Sequence, residues 1–230
     1  MSFSACIHIL DLMTPEEFAW KNMLPAADNP SIIKAMQALS LKDGPIYVRK
    51  FSDPEALFGE CIHNVYKKVS KDGGSVVYGW RFCEYSYMIE GEFHAVWRNP
   101  EGLLVDITPD ETDSHDQILF AIDSAKTFDG KRTDNFRLNT TTNPLVDDII
   151  EIERAKFRFT DKIEEVDEEG RIIFNPEEQQ IWNELNWYSN NVDWLFAKAG
   201  STDSECFCGS KVRFRACHRG IVHSFLKTIV

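Results

Sequence analysis

The C-terminal part of the chain carries three cysteines and a histidine at metal-ligand spacing: Cys206, Cys208, Cys217 and His218. Three thiolates and one imidazole make a complete tetrahedral ligand set for Zn²⁺. Four protein ligands leave no coordination position for water, which distinguishes a structural zinc from a catalytic one. We therefore expect a structural zinc that folds a small knuckle and performs no chemistry. The alternative is that unliganded side chains fall at this spacing by chance.

The segment from about Gly200 to Gly220 resembles the SEC-C motif, the zinc-binding tail of the preprotein translocase motor ATPase. The likeness rests on the ligand spacing, on Gly209-Ser210 after the second cysteine, and on Phe214 between basic residues. The chain departs from the motif at Phe207, where the family usually has proline, and at Lys211, where it usually has glycine. The resemblance implies zinc binding and recruitment of a partner, not catalysis.

A second set of residues has the types needed for nucleophilic catalysis: Cys61, His94 and Asp106, in that order. Cys61 lies near the start of an expected helix, where unpaired backbone amides and the helix dipole stabilise a thiolate. His94 and Asp106 lie on two expected strands, so the histidine can take the thiol proton and the acid can orient the imidazole. Two other interpretations stay open. His63 is an alternative base, because it lies two residues from Cys61. Taken singly, Cys61 and His94 are also residues of a kind that is common in protein cores.

The order and layout of these residues resemble the papain-like superfamily, in particular its transglutaminase-like branch of cysteine peptidases and acyltransferases. The resemblance spans roughly Asp53 to Pro109, and it is carried by the fragments Cys61–Val65, Gly79-Trp80, Glu92–Trp97 and Val105–Pro109. It implies an α+β fold with an antiparallel sheet packed on helices. It also implies that Cys61 is the nucleophile, His94 the base and Asp106 the orienting acid.

An acyl-transfer site of this kind needs hydrogen-bond donors for the oxyanion. Papain has a glutamine a few residues before its cysteine, whereas the stretch from Asp53 to Glu60 contains none. Backbone amides at the helix start would have to supply the donors, helped by Asn64. Trp80 and Trp97 flank the histidine strand and are expected either as walls of the substrate cleft or as core residues.

The pattern around these residues predicts the elements that position them. A helix-prone run begins at Asp53-Pro54 and stops at Asp72–Gly74, although the helix can instead begin near Gly59. Three strands are expected at 75–82, 93–97 and 103–107. The turn at Asn99–Gly102 joins the last two into a hairpin.

The C-terminal half contains a strong helix start. Asn175–Glu178 supplies a cap, a proline at the first helical position and an acidic first turn. We expect an α+β body over residues 1–200 and a SEC-C-like zinc tail over residues 201–230.

The composition indicates which kind of partner and which cellular compartment to expect. The 230 residues carry a formal net charge of −12, which disfavours nucleic acid as the main partner. Residues 206–230 nevertheless hold five basic side chains and no acidic one, which predicts a cationic zinc tail on an anionic body. We see no leader and no apolar run of about 18 residues, and the clustered cysteines fit a reducing compartment. We therefore expect a cytoplasmic protein with no membrane partner.

Two functions follow from these features. The first is a thiol-dependent hydrolase or acyltransferase that acts on a peptide or isopeptide amide, with the zinc knuckle as a docking tail. The second is a non-catalytic adaptor that recruits a protein partner through the basic zinc tail. The reactivity of Cys61 separates them, because a nucleophilic thiolate is alkylated faster than packing cysteines, which Cys6 and Cys83 are expected to be.

Overall fold

The computed structural model describes residues 22–110, 115–167, 171–198 and 200–229, which fall into two compact units that divide between Thr140 and Thr141. The first unit holds α1 (Pro30–Ala38), β1 (Ile46–Lys50), α2 (Cys61–Asp72), β2 (Ser75–Glu84), β3 (Met88–Arg98), β4 (Leu104–Asp106), β5 (Gln117–Ile122) and β6 (Phe136–Asn139). The second holds α3 (Pro144–Thr160), α4 (Pro176–Ala197), a 3-10 turn (Phe214–Ala216) and α5 (Arg219–Leu226). Among the described residues, no helix combines the length and the apolar character that a membrane span needs.

The strands of the first unit close into a five-stranded barrel. Their order is β2-β5-β1-β4-β3, and β3 pairs back with β2 to complete the ring, while β6 pairs with the first residues of β3. Every pair is antiparallel except β1 and β4, which run parallel with Lys50 opposite Asp106. The predicted α+β class is confirmed. The sheet is mixed, however, and not antiparallel throughout as predicted, because β1 returns alongside β4.

Local signals around the candidate thiol site predicted the hairpin better than the helix. Asn99–Gly102 connects β3 to β4 as expected, and the amide of Asn99 donates to the carbonyl of Leu103 at 2.9 Å. Of the two expected helix starts, the one near Gly59 is close to the structure and the one at Asp53 is not, because residues 53–60 form turns and α2 begins at Cys61. It ends at Gly73, whose φ of +78° lies in the region that favours glycine.

One apolar face of α2 packs against the barrel. Cys61 and Val65 lie in a buried cluster with Ala95 of β3 and Ile107. Val65 and Ala95 are completely buried, so this contact excludes water. The packing fixes the first turn of α2 against the strand that also carries His94.

The second unit builds one core from its three helices and the cysteine-rich segment. As predicted, Asn175 caps the start of α4, and its side chain accepts from the amides of Glu177 and Glu178. The structure adds that the cap is reciprocal, since the Glu178 carboxylate accepts from the amide of Asn175. The core contains Leu145, Ile149, Ile152, Leu185, Tyr188, Val192, Leu195, Cys206, Phe207, Phe214, Val222, Leu226 and Ile229. The cysteine-rich segment therefore shares a compact unit with α3 and α4, whereas the domain boundary expected from the sequence fell after residue 200.

Candidate functional site

The four expected metal ligands lie together in the second unit. Their ligand atoms are all within 4.8 Å of one another. Sγ of Cys206 and Sγ of Cys217 each lie 3.2 Å from Nδ1 of His218, and the sulfurs of Cys208 and Cys217 are 3.7 Å apart. Zn–S bonds of about 2.3 Å at tetrahedral angles place two sulfurs about 3.8 Å apart. The cluster can therefore hold a metal ion.

A tight turn gathers the first ligands of this cluster. The amide of Gly209 donates to the carbonyl of Cys206 at 3.1 Å, and the amide of Cys206 donates to the carbonyl of Val212 at 2.8 Å. Gly209 has a φ of +76° and Lys211 a φ of +60°. Lys211 is thus a residue with a side chain in the left-handed region, where its Cβ is crowded by the backbone.

An ion pair to a buried carboxylate joins the segment after the cysteine cluster to α3. Arg219 follows the ligand His218 directly and donates to both carboxylate oxygens of Asp148, at 2.8 and 3.0 Å. His223 Nε2 lies 2.7 Å from Oδ1 of the same carboxylate. Asp148 is only 2% exposed, whereas the side chains of Arg219 and His223 remain 30% and 42% exposed. Sequence reasoning missed Asp148, because it lies 71 residues before Arg219.

The other two arginines of the cationic tail are partly neutralised. Asp203 Oδ1 lies 3.2 Å from Nη1 of Arg213 and 2.7 Å from Nε of Arg215. All three side chains are more than half exposed, and exposed ion pairs of this kind are weak. These two guanidinium groups therefore stay accessible, in contrast to Arg219.

The candidate thiol site lies in the first unit, where three different elements supply its residues. Cys61 is the first residue of α2, His94 lies on β3, and Asp106 ends β4. Nε2 of His94 lies 3.1 Å from Oδ1 of Asp106, and both side chains are at most 1% exposed. The amide of Thr108 also donates to Oδ1 of Asp106 at 3.1 Å, which fixes the carboxylate.

Cys61 lies beside the imidazole of His94. Burial alone would lower the pKa of His94, but electrostatic and hydrogen-bonding interactions with Asp106 and Cys61 outweigh burial and raise the pKa well above its ordinary value. Nδ1 of His94 has no well-aligned hydrogen-bond partner among the described residues. Asp106 therefore holds the ring through Nε2. Nδ1 faces no other hydrogen-bonding group among the described residues and can accept the proton of the Cys61 thiol.

The position of His63 separates it from this group. His63 lies on the exposed side of α2, two residues after the buried Cys61. Residues two apart on a helix point in nearly opposite directions, so His63 and His94 cannot occupy the same place beside the sulfur. The structure brings His94, and not the alternative base His63, into the buried pair with Asp106.

Asn64 holds the chain before Cys61 and does not face a substrate. Its Oδ1 accepts from the amide of Leu57 at 2.9 Å, and its Nδ2 donates to the carbonyl of Leu57 at 2.8 Å and to Oγ1 of Thr108 at 3.3 Å. Asn64 is 4% exposed. Its amide hydrogens are committed to these contacts, so Asn64 fixes the loop that leads into α2.

The two tryptophans beside the histidine strand have structural contacts. Trp80 is 3% exposed and donates through Nε1 to Oδ2 of Asp123 at 3.1 Å. Trp97 donates through Nε1 to the carbonyl of Gly73 at 2.9 Å, at the opposite end of α2 from Cys61. Of the two expectations for these residues, the structure favours packing over cleft walls.

A charged cluster that sequence reasoning missed neighbours Asp106. Asp110 accepts from Nη1 and Nη2 of Arg81 at 2.6 and 2.9 Å and from Nζ of Lys50 at 2.7 Å. Burial raises the pKa of Asp110, but the hydrogen bonds and charges of Arg81 and Lys50 hold it below its ordinary value. Asp110 therefore ties the loop after Asp106 to both β1 and β2.

The wall of the barrel is closely packed opposite His94. Gly79 is the residue of β2 that pairs with His94. A Cβ at Gly79 would lie 2.2 Å from the carbonyl oxygen of Ala121 and 2.6 Å from Cζ of Phe120. Only glycine therefore fits beside the histidine.

Of the two cysteines expected in the core, Cys83 is partly buried and accepts a hydrogen bond from Nδ2 of Asn22 at 3.3 Å. Cys6 lies outside the described residues.

No protein-family model matches the chain, and the chain matches neither a curated protein nor a solved structure. Its function is accordingly inferred from the two groups of residues above.

Proposed function

We propose that the chain is a thiol-dependent hydrolase or acyltransferase that acts on a peptide or isopeptide amide, with a papain-like, transglutaminase-like catalytic unit. One observation carries this proposal: Cys61 begins α2 beside the buried pair of His94 and Asp106, in which Nε2 and Oδ1 are 3.1 Å apart. A thiol, an imidazole and a carboxylate in this order form a nucleophile, a base and an orienting group.

The reaction uses each side chain in a defined step. Nδ1 of His94 takes the thiol proton, and Sγ of Cys61 attacks the carbonyl carbon of the amide. His94 then returns the proton to the leaving amine, which leaves a thioester on Cys61. Water completes a hydrolysis, and a second amine completes an acyl transfer. Asp106 keeps the imidazole oriented and stabilises its charged form.

The start of α2 favours this chemistry. The first amides of a helix have no acceptor within the helix, and the helix dipole places partial positive charge at its N-terminus. Cys61 occupies the first position of α2, and the side chain of Glu60 makes no capping hydrogen bond. The amides of the first turn can therefore stabilise a thiolate or an oxyanion at Cys61.

Alkylation with iodoacetamide tests the proposal. We expect Cys61 to react at least about tenfold faster than Cys83 near neutral pH, because reactivity follows thiolate character and access. Burial raises the pKa of Cys83, which makes it a suitable internal reference. His94→Gln should slow Cys61 while leaving Cys83 unchanged, and mass spectrometry of the alkylated peptides measures both rates. Equal rates for the two cysteines would contradict a catalytic thiol.

We further propose that the metal cluster is a structural zinc site like that of the SEC-C motif. Its three sulfurs and one nitrogen are the donors that Zn²⁺ prefers, and four protein ligands leave no open position. We expect about one zinc per chain in protein purified without chelator, measured by atomic absorption. Cys208→Ser should lower this content, whereas Cys83→Ser should not.

The second candidate function is a non-catalytic adaptor that recruits a protein partner through this cationic segment. The exposed guanidinium groups of Arg213 and Arg215 favour it, since Asp203 pairs with both only at the surface. The two functions separate in the alkylation experiment. An adaptor has no need of a reactive Cys61, whereas an enzyme with a docking segment needs both the thiol and the arginines.

A further inference from the structure

The backbone amides of the first turn of α2 can stabilise an oxyanion, but neither the stretch before Cys61 nor Asn64 adds a side-chain donor. The stretch before Cys61 has no glutamine. Nδ2 of Asn64 donates its hydrogens to the carbonyl of Leu57 and to Oγ1 of Thr108. Removing one oxyanion donor typically lowers kcat by about 10²–10³, so a second donor beside the helix amides matters for the rate.

Tyr78 lies on β2, one residue before the position that pairs with His94. Its Cα pairs with that of Ala95, and the next residue, Gly79, pairs with His94. The Tyr78 side chain packs against the cluster that contains Cys61 and Ala95. It also stacks on Phe93, with ring centroids 5.9 Å apart.

The hydroxyl of Tyr78 has a neighbour that can orient its proton. Oη of Tyr66, on α2, lies 2.7 Å from Oη of Tyr78. Tyr66 is 50% exposed, so its own hydroxyl also reaches solvent. When Tyr66 donates to Tyr78, the proton of Tyr78 is left to donate elsewhere.

We propose that the Tyr78 hydroxyl donates a hydrogen bond to the oxyanion that forms when Cys61 attacks a carbonyl group. This inference rests on the proposed function, because it assigns a role only if Cys61 is a nucleophile. It makes Tyr78 a catalytic residue and gives Tyr66 the lesser role of orienting its hydroxyl.

Electrostatics support this assignment. Burial and the neighbouring Tyr66 raise the pKa of Tyr78 to about 12, a backbone hydrogen bond from Phe128 opposes the rise, and Cys61 adds a smaller contribution to it. Tyr78 therefore keeps its proton at any pH at which the enzyme would work. A negative charge near Cys61 favours the protonated hydroxyl, and this is the form that donates to an oxyanion.

The simple ester p-nitrophenyl acetate forms this oxyanion when Nδ1 of His94 takes the thiol proton and Cys61 attacks as a thiolate. Sγ of Cys61 forms a bond to the carbonyl carbon, and the π electrons move to the carbonyl oxygen, which accepts from Tyr78. Collapse of this intermediate breaks the bond to p-nitrophenolate and leaves an acetyl thioester on Cys61. Iodoacetamide reacts differently, by displacement of iodide at a saturated carbon, so its reaction with Cys61 forms no oxyanion.

The two probes together test the proposal in the full-length protein. In Tyr78→Phe we expect the rate of acetylation of Cys61 to fall by about 10²-fold, within the range for loss of one donor. The rate of alkylation by iodoacetamide should stay within about twofold of the parent. Tyr66→Phe is the matched control and should lower acetylation by less than about tenfold. Mass spectrometry of the Cys61 peptide measures both reactions, with Cys61→Ala as the blank.

Several outcomes would overturn the assignment. An acetylation rate in Tyr78→Phe that equals or exceeds the parent rate would show that the hydroxyl is not a donor. Equal losses in acetylation and alkylation would show that Tyr78 supports the thiol or the fold. Failure of the parent Cys61 to react with either probe would instead refute the proposed function itself, and with it this role of Tyr78.

Discussion

Arg219 and Asp148 join α5 to α3 by a two-point ion pair, one residue after His218, the last of the candidate metal ligands. Cys206 is itself part of the apolar core, together with Phe207 and Phe214. The metal cluster is therefore not an appendage that hangs on a finished domain. Cys206, Phe207 and Phe214 belong to the same core as α3 and α4, and Cys208 and Cys217 pack against that core.

We predict that removal of the metal destabilises the whole unit from Thr141 onwards. The binding free energy of a structural zinc is part of the folding free energy of its module. Hydrogen exchange measured after treatment with a strong chelator should accelerate in α3 and α4 as well as in residues 201–229. The amides of the barrel strands should keep their protection, because they belong to the other unit. Unchanged exchange in α3 and α4 would show that only the cysteine-rich segment depends on the metal.

We predict that Lys211→Gly stabilises the second unit by about 0.5–1 kcal/mol. Lys211 has a φ of +60°, a conformation that is disfavoured by about 1–2 kcal/mol for a residue with a Cβ. Glycine removes this strain but loses more backbone entropy on folding, which offsets part of the gain. Thermal unfolding of the metal-bound protein measures the change. Lys211→Ala also removes the charge but keeps the Cβ, so an equal gain in that variant would contradict relief of strain.

We predict that Asp106→Asn destabilises the protein most at acid pH. The pKa of His94 is raised on folding, so its contribution to stability is fully present below about pH 6.5 and is lost as pH rises through the raised value. Asp106→Asn removes a charge that raises this pKa. The difference in free energy of unfolding between parent and variant should therefore shrink with rising pH, as measured by urea denaturation.

Asp53→Asn is a control of opposite sign for this pH series. A hydrogen bond from Lys68 lowers the pKa of Asp53, so its contribution is present above about pH 4 and is lost as pH falls further. A difference between parent and Asp106→Asn that stays constant or grows towards alkaline pH would contradict a charged His94 in the folded state.

The features that the sequence predicted well are those encoded by neighbours in the chain. The cap of α4 at Asn175 and the turn at Asn99–Gly102 depend on a few adjacent residues. The same holds for the metal cluster, since its four ligands span only residues 206–218. Cys61, His94 and Asp106 are farther apart in the chain, but each lies on an element that the local sequence pattern predicted, namely α2, β3 and β4.

The features that the sequence did not predict depend on contacts between distant segments. The parallel pairing of β1 with β4 joins Lys50 to Asp106 across more than fifty residues, and nothing near Lys50 signals it. Asp110 meets Arg81 and Lys50 only because the barrel closes. The pair of Asp148 and Arg219 likewise forms only when α3 and α5 pack together. The local sequence pattern does not predict these pairings, because they form only when distant segments pack together.

The close approach of the barrel wall at Gly79 limits which substitutions the chain can accept. Even the methyl group of alanine would overlap the Ala121 carbonyl oxygen, which is backbone and cannot turn aside. Space alone therefore restricts position 79, opposite His94, because glycine has no side chain that could take part in a reaction. A library of single variants selected only for folding should retain glycine at position 79 as strictly as a library selected for turnover, whereas it should accept replacements of Cys61.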